Sequence, residues 1–147
     1  MTRYLLAVDF QPGVAETPMS EWTPEEVEAH LAYYGALNAE LVASGELVET
    51  TILTGPDLAK IVTSDGLRAP VVTDGPFPEF KEWSAGYQIV DVESEARAVE
   101  IAARVSAVPG PGGRPTQQPI HVRQIMDDGP SNADEMTAFL DQVGDAR

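Results

Sequence analysis

The chain has 147 residues, with 24 acidic and 9 basic side chains, a formal net charge of −15 and no cysteine. That length suits one domain with a core of its own, and a 43% hydrophobic content excludes a disordered chain. The missing thiols exclude disulfides, thiolate metal sites and a cysteine nucleophile, and so acidic a surface disfavours direct binding to nucleic acid.

Tyr4–Phe10 is rich in strand formers and only partly alternating, which suits a strand well inside a sheet. Residues 11–21 read as a loop. Thr23-Pro24-Glu25-Glu26 then opens a helix: Thr23 caps, Pro24 fits the first helical position and Glu26 completes a capping box. Trp22 staples that helix start. Val27, Leu31, Tyr34, Leu37 and Leu41 make one apolar stripe, and Gly45 stops the helix. Glu46–Leu53 is a strand. Lys60–Thr63 and Leu67–Thr73 flank Ser64-Asp65-Gly66, a tight hairpin signal, with Pro70 pushing the second arm toward an edge. Asp74-Gly75-Pro76-Phe77-Pro78 breaks regular structure, and Gly86–Val92 is the next strand. Ser94 caps a second helix with Ala98, Ile101, Ala102 and Val105 inward. Pro109–Pro119 is an exposed connector, Ile120–Met126 the closing strand, and Asn132 opens a tail helix through Met136, Phe139, Leu140 and Val143.

Two β-α-β passes of similar length predict an α+β sandwich of the ferredoxin-like kind, with both helices on one face of an antiparallel sheet. Residues 1–126 form the domain and 127–147 an acidic tail with a short helix. The charge is uneven: net −8 over residues 1–50, −2 over 51–126 and −5 over 127–147. No charged segment followed by an apolar stretch opens the chain, and no apolar run approaches about 18 residues. A cytoplasmic protein that neither is exported nor meets a membrane is therefore expected.

Val71-Val72-Thr73-Asp74-Gly75-Pro76-Phe77-Pro78-Glu79-Phe80-Lys81-Glu82, followed by Gly86-Tyr87 and Ile89-Val90-Asp91-Val92, resembles the DGPF branch of the YCII-related family. The likeness extends to the Thr-Pro-Glu-Glu helix start, Tyr34-Gly35-Ala36 and Val122-Arg123-Gln124-Ile125-Met126. It implies a dimeric α/β barrel in which two ferredoxin-like protomers pack their sheets together. It implies no single activity: related proteins include a dehydrochlorinase and lactone-processing enzymes, and DGPF genes tend to lie near alternative sigma factors. The chain departs from the family pattern at Ala85, where glycine is usual, at Phe80, where threonine is usual, and at His121, which replaces an acidic residue.

The two histidines leave few places for imidazole chemistry. His30 lies on the edge of the first helix's apolar face, either as a half-buried histidine bonded to backbone or as a general base at a cleft between helix and sheet. The family proper carries a histidine in this helix, paired with an aspartate. Asp74, fixed by the Gly-Pro turn after it, either caps its own turn or acts as the partner carboxylate. Phe77, Trp83 and Tyr87 are the candidate ligand-binding side chains, with packing as the other reading of each. His121 points to one sheet face, with a structural or interface role as its default. No metal-ligand spacing, phosphate loop or nucleophile elbow is present, so no cofactor and no metal are expected. Two functions fit these residues. One is a cofactor-independent proton-transfer enzyme of the isomerase or lyase kind, acting on a small molecule through His30 and Asp74. The other is a non-enzymatic binding or regulatory accessory protein. A homodimer is expected in either case, because one sheet face is left without helices.

Overall fold

The computed structural model describes residues 1–11, 17–75, 83–126 and 128–145. Among these residues six strands and three α-helices follow in order: β1 (Thr2–Phe10), α1 (Pro24–Ala43), β2 (Leu47–Ile52), β3 (Ala59–Thr63), β4 (Val71–Gly75), β5 (Trp83–Val92), α2 (Glu95–Ser106), β6 (Ile120–Gln124) and α3 (Ala133–Asp145). Four strands form an antiparallel sheet in the order β2-β5-β1-β6, and β3 and β4 pair as a separate two-stranded sheet. The strand order is that of a ferredoxin-like α+β fold, with the β3–β4 arm inserted between the second and third strands of the main sheet.

Local chemistry sets the boundaries of α1. Thr23 Oγ1 accepts from the Glu26 amide at 3.2 Å while Glu26 Oε1 accepts from the Thr23 amide at 3.0 Å, a complete capping box. At the other end Gly45 takes φ +77°, and the Glu46 amide donates back to the Leu41 carbonyl. Only such a left-handed residue closes the helix in this way at no steric cost.

The core lies between one sheet face and α1 with α2. Tyr4, Leu6, Val90 and Val92 point into it from β1 and β5, Leu37 and Leu41 from α1, and Ala98, Ile101, Ala102 and Val105 from α2. The predicted inner face of α2 is correct at all four positions, whereas the α1 stripe is buried only in its second half, and Leu31 is exposed.

Three expectations need correction. Thr63 pairs with Val71, so residues 64–70 form a seven-residue connection instead of a tight turn. Asp65 Oδ1 organises that connection by accepting from the amides of Leu67 and Arg68, each at 2.9 Å. Asp74 and Gly75 belong to β4, where Asp74 pairs with Lys60, so the break begins no earlier than residue 76. The Pro/Gly-rich connector is not wholly exposed: Gly110, Thr116 and Gln118 are buried. The connector folds back on itself through a Pro109–Pro115 bridge and on the domain through the Thr116 amide, which donates to the Val108 carbonyl.

Candidate functional site

Sheet register decides which side chains share a face, because residues directly opposite one another in an antiparallel pair project to the same side. Leu5 is opposite Ile89 and Arg123, Ala7 is opposite Tyr87 and His121, and Thr51 is opposite Tyr87. These residues, with Asp9, lie on the sheet face turned away from α1 and α2. None of them is buried. Leu5, Ala7 and Ile89 give this open face an apolar centre, and the groups that can carry protons sit around it.

Two polar clusters stand out there. On the β1–β6 side, His121 Nε2 lies 3.1 Å from Asp9 Oδ2, with the imidazole side chain 54% exposed and the carboxylate 20% exposed. On the β5–β2 side, the Tyr87 hydroxyl donates to Glu49 Oε1 at 3.1 Å, and the Thr51 hydroxyl donates to the same oxygen at 3.2 Å. Tyr87 thus projects from the open face with its phenol already engaged. Further along β5, Asp91 Oδ1 is buried without a hydrogen-bond partner.

His30 has different surroundings. Its Nδ1 lies 2.8 Å from the Pro109 carbonyl oxygen, a distance at which the ring N–H donates to that oxygen. Trp22 and Tyr34 meet the imidazole edge-on, with ring centroids 5.3 and 5.2 Å away. Burial raises the Tyr34 phenol above its ordinary pKa, which keeps it neutral in this cluster. Four residues before His30 on the same helix, Glu26 Oε2 accepts from the Gly112 amide at 2.6 Å. His30 is therefore part of a clasp between α1 and the 109–119 connector.

Asp74 is on the β3–β4 arm, paired with Lys60 and 82% exposed along its side chain. Among the described residues the partners of His30 and Asp74 are different, the connector and two aromatic rings for His30 and Lys60 of the arm for Asp74, and no contact joins the two. Phe77 lies outside the described residues, and Trp83 is described by its backbone alone, as the residue of β5 opposite Phe10. A shallow depression of about 370 Å³ sits at the arm's end, lined by Thr63, Ser64, Asp65, Arg68, Ala69 and Val71. It contains neither histidine. Among the described residues no three His, Asp or Glu side chains converge as a metal site, and no helix is long and apolar enough to cross a membrane.

The strand order β2-β5-β1-β6 with α1 and α2 on one face is that of a ferredoxin-like α+β protein. A family model for the YCII-related domain matches residues 2–110. The chain belongs to the YCII-related family. No curated protein matches it.

Proposed function

We propose that this protein is a cofactor-independent proton-transfer enzyme of the isomerase or lyase kind, working as a homodimer on a small molecule held against the open sheet face. The observation that carries this reading is the His121–Asp9 pair at 3.1 Å. A carboxylate on Nε2 fixes the ring and its tautomer, leaving the Nδ1 lone pair for a substrate proton. Nδ1 would take a proton from an acidic carbon, the electron pair would move onto the adjacent carbonyl oxygen, and the same nitrogen would return the proton at a second position. The reading favours His121 with Asp9 over His30 with Asp74, because the His30 ring is engaged by backbone and by two aromatic rings.

The test is solvent-deuterium incorporation into a panel of enolisable lactones, keto acids and phenols. Incorporation is expected for at least one class. His121→Gln and Asp9→Asn should each lose about 10²–10⁴-fold in rate, while His30→Gln should keep it. A wild-type protein that exchanges nothing would favour a binding protein, and a His121→Gln variant at full rate would remove the proposed base.

A further inference from the structure

Arg123 sits two positions from His121 on β6 and on the same open face, opposite Leu5. Alternate residues of a strand are about 7 Å apart along the chain, a gap that two long side chains and a short organic acid can bridge. Arg97 holds Glu46 and Glu100, and Arg104 holds Glu40. Arg123 is exposed and has no ion pair among the described residues. Two acids of the face are already engaged, Asp9 by His121 and Glu49 by Tyr87 and Thr51, and Asp91 stands opposite Arg3.

We propose that Arg123 is the anchor for a carboxylate, and that the substrate class of this site is a small organic acid bearing an acidic C–H. This rests on the proton-transfer reading above and deepens it. A planar guanidinium takes a carboxylate through two parallel hydrogen bonds, which fixes orientation as well as position. Anchored there, the carbon chain lies across the Leu5–Ala7 strip toward the free nitrogen of His121. A chain of net charge −15 repels anions at long range. An arginine with no ion pair among the described residues, opposite the apolar Leu5 and near two acids that are already engaged, supplies the local attraction such a substrate needs. Arg68 and Arg114 have no such setting: Arg68 lies in the connection between β3 and β4, and Arg114 in the connector that clasps α1, neither of them on a strand of the open face.

The experiment uses 2-oxobutanoate as probe and 2-butanone as its uncharged analogue. Binding is followed by the NMR signals of the Arg123 Nε–H and the His121 ring, and proton transfer by loss of C3 deuterium from the labelled acid. Saturable shifts of both signals are expected with the acid and not with the ketone. Arg123→Gln should weaken binding by about tenfold or more, and Arg123→Lys by less. His121→Gln should still bind but not exchange, so a failed base and a failed anchor give different results. An equal response to ketone and acid would overturn the anchor, as would unchanged binding in Arg123→Gln. An Arg123 signal that ignores the acid but moves with protein concentration would assign the guanidinium to a carboxylate of a second copy and equally overturn it.

Discussion

His30 and His121 show how little a residue type says before its partners are known. One imidazole is held by a backbone carbonyl and two aromatic edges, the other faces solvent with a carboxylate behind it. The least exposed ion pair among the described residues joins α2 to a residue just past the end of α1. Glu46 follows the helix-ending Gly45, and both of its carboxylate oxygens receive Arg97 from α2, at 2.8 and 2.9 Å, with only 13% of its side chain exposed. The hydrogen bonds from Arg97, then that from Ser44, hold its carboxyl at about 2 against an ordinary 4.5. Below pH 4.5 the unfolded chain takes up a proton that the folded chain refuses, so this contribution is complete above 4.5 and is lost as pH falls through about 2. Glu46→Gln should cost about 1–3 kcal/mol at neutral pH. In urea titrations the wild-type and variant curves should converge as the pH approaches 2. A constant difference down to that pH would assign the effect to packing. The proposed site pair was itself within reach of the sequence: Asp9 and His121 occupy like-facing positions on the first and closing strands, which the ferredoxin-like order makes neighbours. A single strand shows only alternation, however, and the register that aligns Ala7 with His121 is a property of the pairing.

At the scale of elements, legibility followed locality. The α1 capping box, the Gly45 stop and the Ser94 cap of α2 depend on residues at most a few positions apart, and each was readable in advance. The arm's turn and the burial of the connector depend on distant partners, which the local sequence does not show. Asp65-Gly66 favours a tight turn locally, yet the pairing of Thr63 with Val71 sets a longer one. Nothing in the Pro/Gly run itself announces that Trp22 packs over Gly110. The β2–β5 pairing has a comparable hidden constraint at Gly86. A Cβ there would lie 2.6 Å from the Thr51 carbonyl oxygen and 3.3 Å from the Ile52 Cα, both backbone atoms of the neighbouring strand. Backbone held in a sheet cannot give way as a side-chain tip does, so Gly86→Ala should destabilise by about 1–3 kcal/mol. Because β2 is an edge strand, the damage should be local. Hydrogen exchange should quicken at the Leu53 amide, which donates to the Ala85 carbonyl at 3.0 Å, while the β1–β6 amides stay protected. Uniformly faster exchange would mean that β2 unfolds only with the whole domain.

At the scale of the whole molecule, two surfaces are without a partner among the described residues. One is the open sheet face with Leu5, Ala7 and Ile89 at its centre. The other is the β3–β4 arm, where Ile61, Val62, Val71 and Val72 are all exposed. Val62 and Val72 are directly opposite one another, and Ile61 projects to the other side, so both faces of the arm are apolar. A two-stranded ribbon is marginal by itself in water, and apolar surface of this extent marks an interaction site. A two-fold homodimer covers such surfaces with copies of one chain, since each copy brings both an arm and an open face. Light scattering at micromolar concentration should then give twice the 15.8 kDa of one chain. The charge adds a second expectation of definite sign. Two copies at −15 each repel, while burial of apolar area is insensitive to screening. Association should therefore tighten from low ionic strength to about 1 M salt, where the Debye length is about 3 Å. Val62→Lys with Val72→Lys places two charges on one face of the arm and should weaken association if the arm is buried. A mass of 15.8 kDa at every salt concentration would sink the dimer, and a dimer untouched by the two lysines would place its contact on the sheet face alone.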